Sequence, residues 1–210
     1  MGSKALVASL VSTLVAGTVL AVAAPAQAAE PPSAQAKQCA LGKWTLVGTN
    51  SQSTGTNRWY KGSRTGGGGA KLTITKSKSY YNFDRSARIW ELDYLKKGHK
   101  PNKAYDVYRK NIAIPSSVSG GAKGVFTTKT RAATGNGTFK SVGVVPPGPG
   151  PSGSLVQVLF KRGIDVIQVP GKVSFTCSRT KMVWKRSYTW YNPSAKLHAK
   201  EVETATWRRG

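Results

Sequence analysis

Apolar and polar residues alternate with a period of two through most of this chain after Cys39, and the alternation is broken every few residues by Gly, Pro, Asn or Ser. That pattern constrains the fold most, because it calls for short strands with one buried and one wet face. Leu72 and Ile74 share a face, while Lys71, Thr73 and Thr75 take the other. Val173, Phe175 and Cys177 lie opposite Lys172, Ser174 and Thr176, which turns Cys177 towards a core. Further strands are expected at 43–47, 80–84, 88–94, 105–112, 124–130, 138–145, 155–160, 164–169, 181–186 and 202–208. No stretch keeps a helical period for three turns, although 193–199 is expected to form one helical turn. The result is an all-β chain, an antiparallel barrel or sandwich rather than a parallel sheet.

Three loops punctuate the strands. The four-glycine run Gly66 to Gly69 lacks the Lys and Ser or Thr of a phosphate cradle and precedes a strand, so it is expected to be a flexible connection. Gly135, Asn136 and Gly137 suit a tight turn, and 146–153, alternating Pro and Gly, suits an exposed hairpin connection.

The N-terminal end reads as a targeting segment. Lys4 is followed by an uncharged run to Ala24, then by Pro25, Ala26, Gln27 and Ala28, with small residues where a signal peptidase reads. Residues 1–28 are therefore expected to be a Sec-type signal peptide cut after Ala28, and the protein to be secreted, with no stable membrane insertion after processing. Ala, Ser, Thr and Gly dilute the apolarity that a retained anchor needs. Residues 29–38, with Pro31 and Pro32, read as a flexible leader, and 39–210 as a single domain. The two cysteines, Cys39 and Cys177, are expected to pair in an oxidising compartment.

The charge balance is extreme: 32 Lys and Arg face 8 Asp and Glu. Removing 1–28 takes away only Lys4, which leaves +23 of the formal +24. Such a field attracts polyanions, and outside a cell these are teichoic acids, anionic lipid, nucleic acid and acidic polysaccharide.

Catalytic chemistry is thinly supplied. His99 and His198 stand among lysines, and neither has metal-ligand spacing with another His, Cys or carboxylate. No cofactor, metal site or catalytic residue is expected, and the chain is read as non-catalytic. Glu91 with Asp93, and Glu201 with Glu203, share strand faces. Such pairs can run glycoside hydrolysis or hold a cation, but among so many bases they are expected to form cross-strand salt bridges. Met182 and Trp184 are expected in the core with Lys181 and Lys185 in solvent.

The segment Cys39, Ala40, Leu41, Gly42, Lys43, Trp44, Thr45 resembles the G-x-W opening of lipocalins and the related avidin-type barrels. Trp207, Arg208 and Arg209 look like the closing strand of such a barrel, with Arg208 expected over Trp44. The T-D-Y signature and the long outer helix of lipocalins are missing from the sequence. The resemblance implies a lipocalin-like up-and-down barrel of about 8 to 10 strands, with Gly42, Trp44 and Arg208 closing one end. It leaves the ligand undecided. The first functional expectation is a monomeric binding protein whose cavity or open rim holds a small, partly apolar molecule, with Trp59, Tyr81, Trp90, Trp190 and Tyr191 as candidate contacts. Adhesion to extracellular polyanions is the alternative, and a secreted enzyme or enzyme inhibitor a third. An empty, aromatic-lined interior would support ligand carriage, a barrel packed solid with side chains would sink it, and a filled interior is what the polyanion alternative expects.

Overall fold

A long first strand shared between two sheets organises the molecule. The computed structural model describes residues 39–56, 60–94, 98, 100–192 and 196–210. In chain order the strands are β1 (Gly42–Gly55), β2 (Lys61–Gly66), β3 (Lys71–Ile74), β4 (Lys78–Asn82), β5 (Ile89–Tyr94), β6 (Asn102–Arg109) and β7 (Asn111–Gly120). They continue with β8 (Lys123–Thr128), β9 (Thr134–Gly135), β10 (Thr138–Val145), β11 (Pro147–Ser154), β12 (Lys172–Cys177), β13 (Lys181–Asn192) and β14 (Leu197–Arg209). Eight of them close a ring in the order β1, β3, β4, β7, β8, β12, β13, β14 and back to β1, every pairing antiparallel. Ring neighbours follow chain order, so the barrel is up-and-down, as the alternation pattern implies.

The remaining long strands interrupt that meander and pair with one another. β2, β5, β6, β10 and β11 form a side sheet that joins the barrel through β1. The first half of β1, Gly42 to Thr45, pairs with β3; the second half, Thr49 to Thr54, pairs with β2. The change of partner coincides with a bulge between Leu46 and Gly48, which turns Val47 out to 60% exposure. Gly66 to Gly69 carries the chain from β2 back to β3 across this bulge. It is a packed seam rather than the flexible connection expected: Gly69 N–H donates to Leu46 O at 2.8 Å, and Gly67 O accepts from Gln168 Nε2 at 3.1 Å. A Cβ on Gly67 would lie 2.6 Å from that same Nε2.

The ring is filled. Trp44, Trp184 and Trp207 are each at most 1% exposed and pack with Phe126, Phe83, Tyr81 and Phe160. Large buried side chains of this kind each contribute on the order of 2–3 kcal/mol by leaving water. Met182 and Trp184 point inward and Lys181 and Lys185 outward, as the alternation requires. Cys39 and Cys177 are joined in a disulfide with Cα atoms 6.0 Å apart. Among the described residues no helix is long and apolar enough to cross a membrane.

Several local expectations need correction. Residues 155–160 form two short helical turns, Leu155–Leu159 and Phe160–Arg162, which bury Leu155, Val156 and Phe160. A run of apolar residues this short does not distinguish strand from buried turn. Residues 164–169 also leave the sheet and make only a Val166–Val169 bridge while sinking Val166, Ile167 and Val169 into the core. The Pro-Gly loop is instead strand β11, at the sheet edge where Pro needs no ladder partner. The expected strand 105–112 breaks at Lys110, whose φ of 65° ends β6 and starts β7. The helical turn expected at 193–199 lies partly outside the described residues, and Leu197, His198 and Ala199 belong to β14.

Candidate functional site

Beyond the filled ring, β13, β14 and β1 continue and meet β2 and β5, and the face they turn inward changes from apolar to charged. The inward residues of β14 show the sequence of environments: Trp207 and Ala205 in the barrel core, Glu203 and Glu201 beyond it, then Ala199 and Leu197 in a small second cluster with Tyr60. The inward residues of β1 follow suit, from Trp44 and Leu46 to Thr49, Ser51 and Ser53.

Register sets these side chains in rows. Glu91, Arg64, Ser51, Glu203 and Arg186 stand opposite one another on β5, β2, β1, β14 and β13. The next row outward reads Asp93, Gly62, Ser53, Glu201 and Tyr188 on the same five strands. Within the first row Arg64 Nη2 reaches Glu91 Oε1 at 3.0 Å, and Arg186 donates to Glu203 through Nε. Arg186 Nη1 also reaches Asp165 Oδ2 at 3.2 Å, which ties the 164–169 segment to the sheet. Tyr188 OH donates to Glu203 Oε1 at 3.0 Å.

The second row is held differently. Glu201, only 3% exposed, accepts from Ser51 Oγ at 2.8 Å and from Trp190 Nε1 at 3.0 Å. Asp93 accepts from Tyr60 OH at 3.1 Å. Gly62 leaves room for that pair, since a Cβ there would lie 2.6 Å from Asp93 Oδ1 and 2.7 Å from Tyr60 Oη. Among the described residues, neither Asp93 nor Glu201 has a cation within ion-pair distance.

Between these rows and the 163–165 turn lies an open cavity of about 740 Å³, walled by Tyr60, Tyr188 and Trp190 and floored by Arg64, Asp93 and Glu201. Tyr60 and Trp190 meet edge to face, with ring centroids 5.6 Å apart. Burial and the neighbouring charge of Glu91 push the Asp93 carboxyl up to about 6. Asp106, on the adjoining strand, is also raised, by burial, against the opposing effect of the Ser141 hydroxyl that donates to it. Burial works against the charge on Arg64, but Glu91 and Glu201 outweigh it and the guanidinium is held more firmly protonated. Burial, then Asp93, raises Tyr60, and burial, then Glu203, raises Tyr188, so both phenols stay neutral donors.

Such a site can present a carboxylate pair, two neutral phenols and an indole to one small molecule. The raised Asp93 beside a second carboxylate also has the makings of an acid and base pair. Among the described residues no three His, Cys, Asp or Glu come together as metal ligands.

The residues singled out from sequence fall in different places. Trp190 lines the cavity. Tyr81 is in the barrel core, stacked on Phe83 at 6.0 Å, and also lines a second cavity of about 550 Å³ beside Ile112. Trp90 is on the opposite face of β5 from Glu91, edge on to Tyr105 at 5.1 Å and covered by Lys103. Tyr191 faces outward and stacks on His198. Trp59 and His99 lie outside the described residues. At the closed end, Arg209 rather than Arg208 covers Trp44, its guanidinium carbon 4.3 Å from the ring centroid. The cause is register: Trp44 pairs with Arg209, and Arg208 alternates to the outer face opposite Thr45. Gly42, at φ 117°, lets Arg209 approach, since a Cβ would lie 2.8 Å from its Nη1.

Of the four carboxylates expected in cross-strand salt bridges, Glu91 pairs with Arg64 and Glu203 with Arg186, while Asp93 and Glu201 have none among the described residues. Sequence reasoning missed Arg64, Arg186, Tyr60, Tyr188 and Asp165 as cavity residues. The available signal was the run of polar inward positions Thr49, Ser51 and Ser53, where a core strand would carry apolar ones. No protein-family model, curated protein or solved structure matches this chain.

Proposed function

We propose that this chain is an exported, lipocalin-like, non-catalytic binding protein that holds a small, partly apolar molecule at the barrel mouth. The filled ring sinks carriage within the barrel lumen and fits the polyanion alternative, so the binding reading rests on the open rim. One observation carries the reading: an aromatic-walled cavity of about 740 Å³ whose polar groups are fixed in register by five strands and by hydrogen bonds to buried side chains. That volume is in the range that encloses small molecules, and the mixture of aromatic wall and few placed polar groups is the usual composition of such sites. The disulfide supports export to an oxidising compartment. The test is the indole N–H resonance of Trp190, followed while small-molecule fragments of differing charge are added. Saturable shifts of that resonance are expected; no shift from any fragment would overturn the reading.

A second reading, adhesion to extracellular polyanions, has an observation of its own. Glu91, Asp93, Asp106, Glu201 and Glu203 all face inward on their strands, so the outward faces of β1, β2, β5, β6, β13 and β14 carry no acid to oppose Lys43, Lys61, Lys103, Lys185 and Lys200. Retention on heparin to well above physiological salt supports it, and elution near physiological salt sinks it.

A further inference from the structure

The cavity is short of positive charge on a protein that has positive charge in excess. Four carboxylates line it, Glu91, Asp93, Asp165 and Glu201, against Arg64, Arg186 and Lys172, and Glu203 takes up Arg186 from outside the lining. Arg64 is engaged by Glu91, and Arg186 by Asp165 and Glu203. Lys172 stands at the exposed rim. What is left for an occupant is Glu201 and Asp93, satisfied by neutral donors from Ser51, Trp190 and Tyr60 but by no cation among the described residues. A buried carboxylate without a counter-charge is costly unless something positive completes it.

The aromatic wall is placed to do that jointly with the carboxylates. Trp190 holds Glu201 through its N–H while its ring forms the cavity wall, edge on to Tyr60. The apolar body attached to a cation beside Glu201 would therefore lie within reach of the Trp190 side chain. Tyr188 is already covered by Arg186, 4.7 Å from its ring centroid, so the apolar body of an occupant is assigned to the Trp190 side of the wall.

Taking the cavity as a ligand site, we infer that its ligand is an organic cation, a primary ammonium or guanidinium group on a small apolar or aromatic body, with the charge between Glu201 and Asp93 and the body against Trp190. An anionic ligand would meet two carboxylates that make no ion pair among the described residues, and a neutral one would leave them without such a contact.

Three probes of one shape separate these cases: tyramine, tyrosol and 4-hydroxyphenylacetate, which carry an ammonium, a hydroxyl and a carboxylate on the same phenol. Each is titrated calorimetrically into the oxidised protein, with the Trp190 indole resonance as the reporter of place. Tyramine is expected to bind about ten-fold or more tighter than tyrosol, with the acid weakest. Glu201→Gln should erase that preference, and Asp93→Asn, further from the core, should reduce it if the first variant fails to fold. Tyrosol or the acid binding as well as tyramine, while still shifting Trp190, would overturn the cation and leave the cavity standing. Silence of Trp190 towards all three would overturn both.

Discussion

The indole N–H of Trp190 donates to Oε2 of Glu201 at 3.0 Å, along a diagonal of the β13–β14 pair, and so joins the cavity wall to its buried carboxylate. Trp190→Phe keeps most of the ring and removes the donor. Leaving a buried carboxylate oxygen without that bond should cost about 1–3 kcal/mol. Urea unfolding checks it, and a loss no larger in wild type than in a Glu201→Gln background would show that the two residues are not coupled.

Arg209 and Arg208 are adjacent but should behave very differently. Arg209 donates to the carbonyls of Cys39 at 2.6 Å, Arg179 at 2.7 Å and Leu41 at 3.1 Å, and covers Trp44. Arg209→Ala should destabilise by about 2–4 kcal/mol, because charge-assisted bonds and a cation over an indole are lost together. Arg208→Ala, on an exposed outward position, should stay within about 0.5 kcal/mol of wild type. Equal effects would contradict the register that places Arg209 over the ring.

The Cys39–Cys177 disulfide spans a sequence separation of 138 residues. Its removal by Cys39→Ser with Cys177→Ser should cost about 2–5 kcal/mol, the upper end being the chain-entropy figure for so long a loop. Denaturation of the double variant against the oxidised protein measures this directly, and an unchanged midpoint would argue that the bridge leaves the unfolded chain unconstrained.

Asp93 makes stability depend on pH in a direction opposite to the common carboxylate case. With its carboxyl raised from 3.8 to about 6, the folded protein holds a proton that the unfolded chain releases in that window. Its unfavourable contribution is therefore fully present above about pH 6 and is relieved as pH falls towards about 4. Asp93→Asn should gain about 1 kcal/mol near neutral pH, after allowance for solvent screening, and nothing near pH 4. Glu91→Gln should move the Asp93 carboxyl resonance to titrate lower. A variant that gains stability only in acid would contradict the assignment.

The closed end of the barrel was readable because Gly42, Trp44, Cys177 and Trp207 sit in clean alternation, and period two assigns a face without knowledge of the partner strand. The cavity was not readable in the same way. Glu91 and Asp93 were seen to share a face, as were Glu201 and Glu203, but that Arg64 stands between Glu91 and Ser51 is a matter of register among strands about 27 and 13 residues away. Period two is the same for every strand and carries no register. The insertions hid the rest: Pro147–Ser154 has the composition of a loop yet pairs at an edge, and Leu155 to Phe160 has the composition of a strand yet turns into the core. Arg209, two residues after the core Trp207, shares its face by the same period of two, so the alternation itself favours Arg209 over the expected Arg208.

Native mass spectrometry of the protein purified from the medium of a secreting host tests the central claim most directly. The cavity account predicts a small-molecule mass on the wild-type protein that is lost on unfolding and depleted in Glu201→Gln and Trp190→Ala. The same mass on all three proteins, or none on any of them, would contradict it.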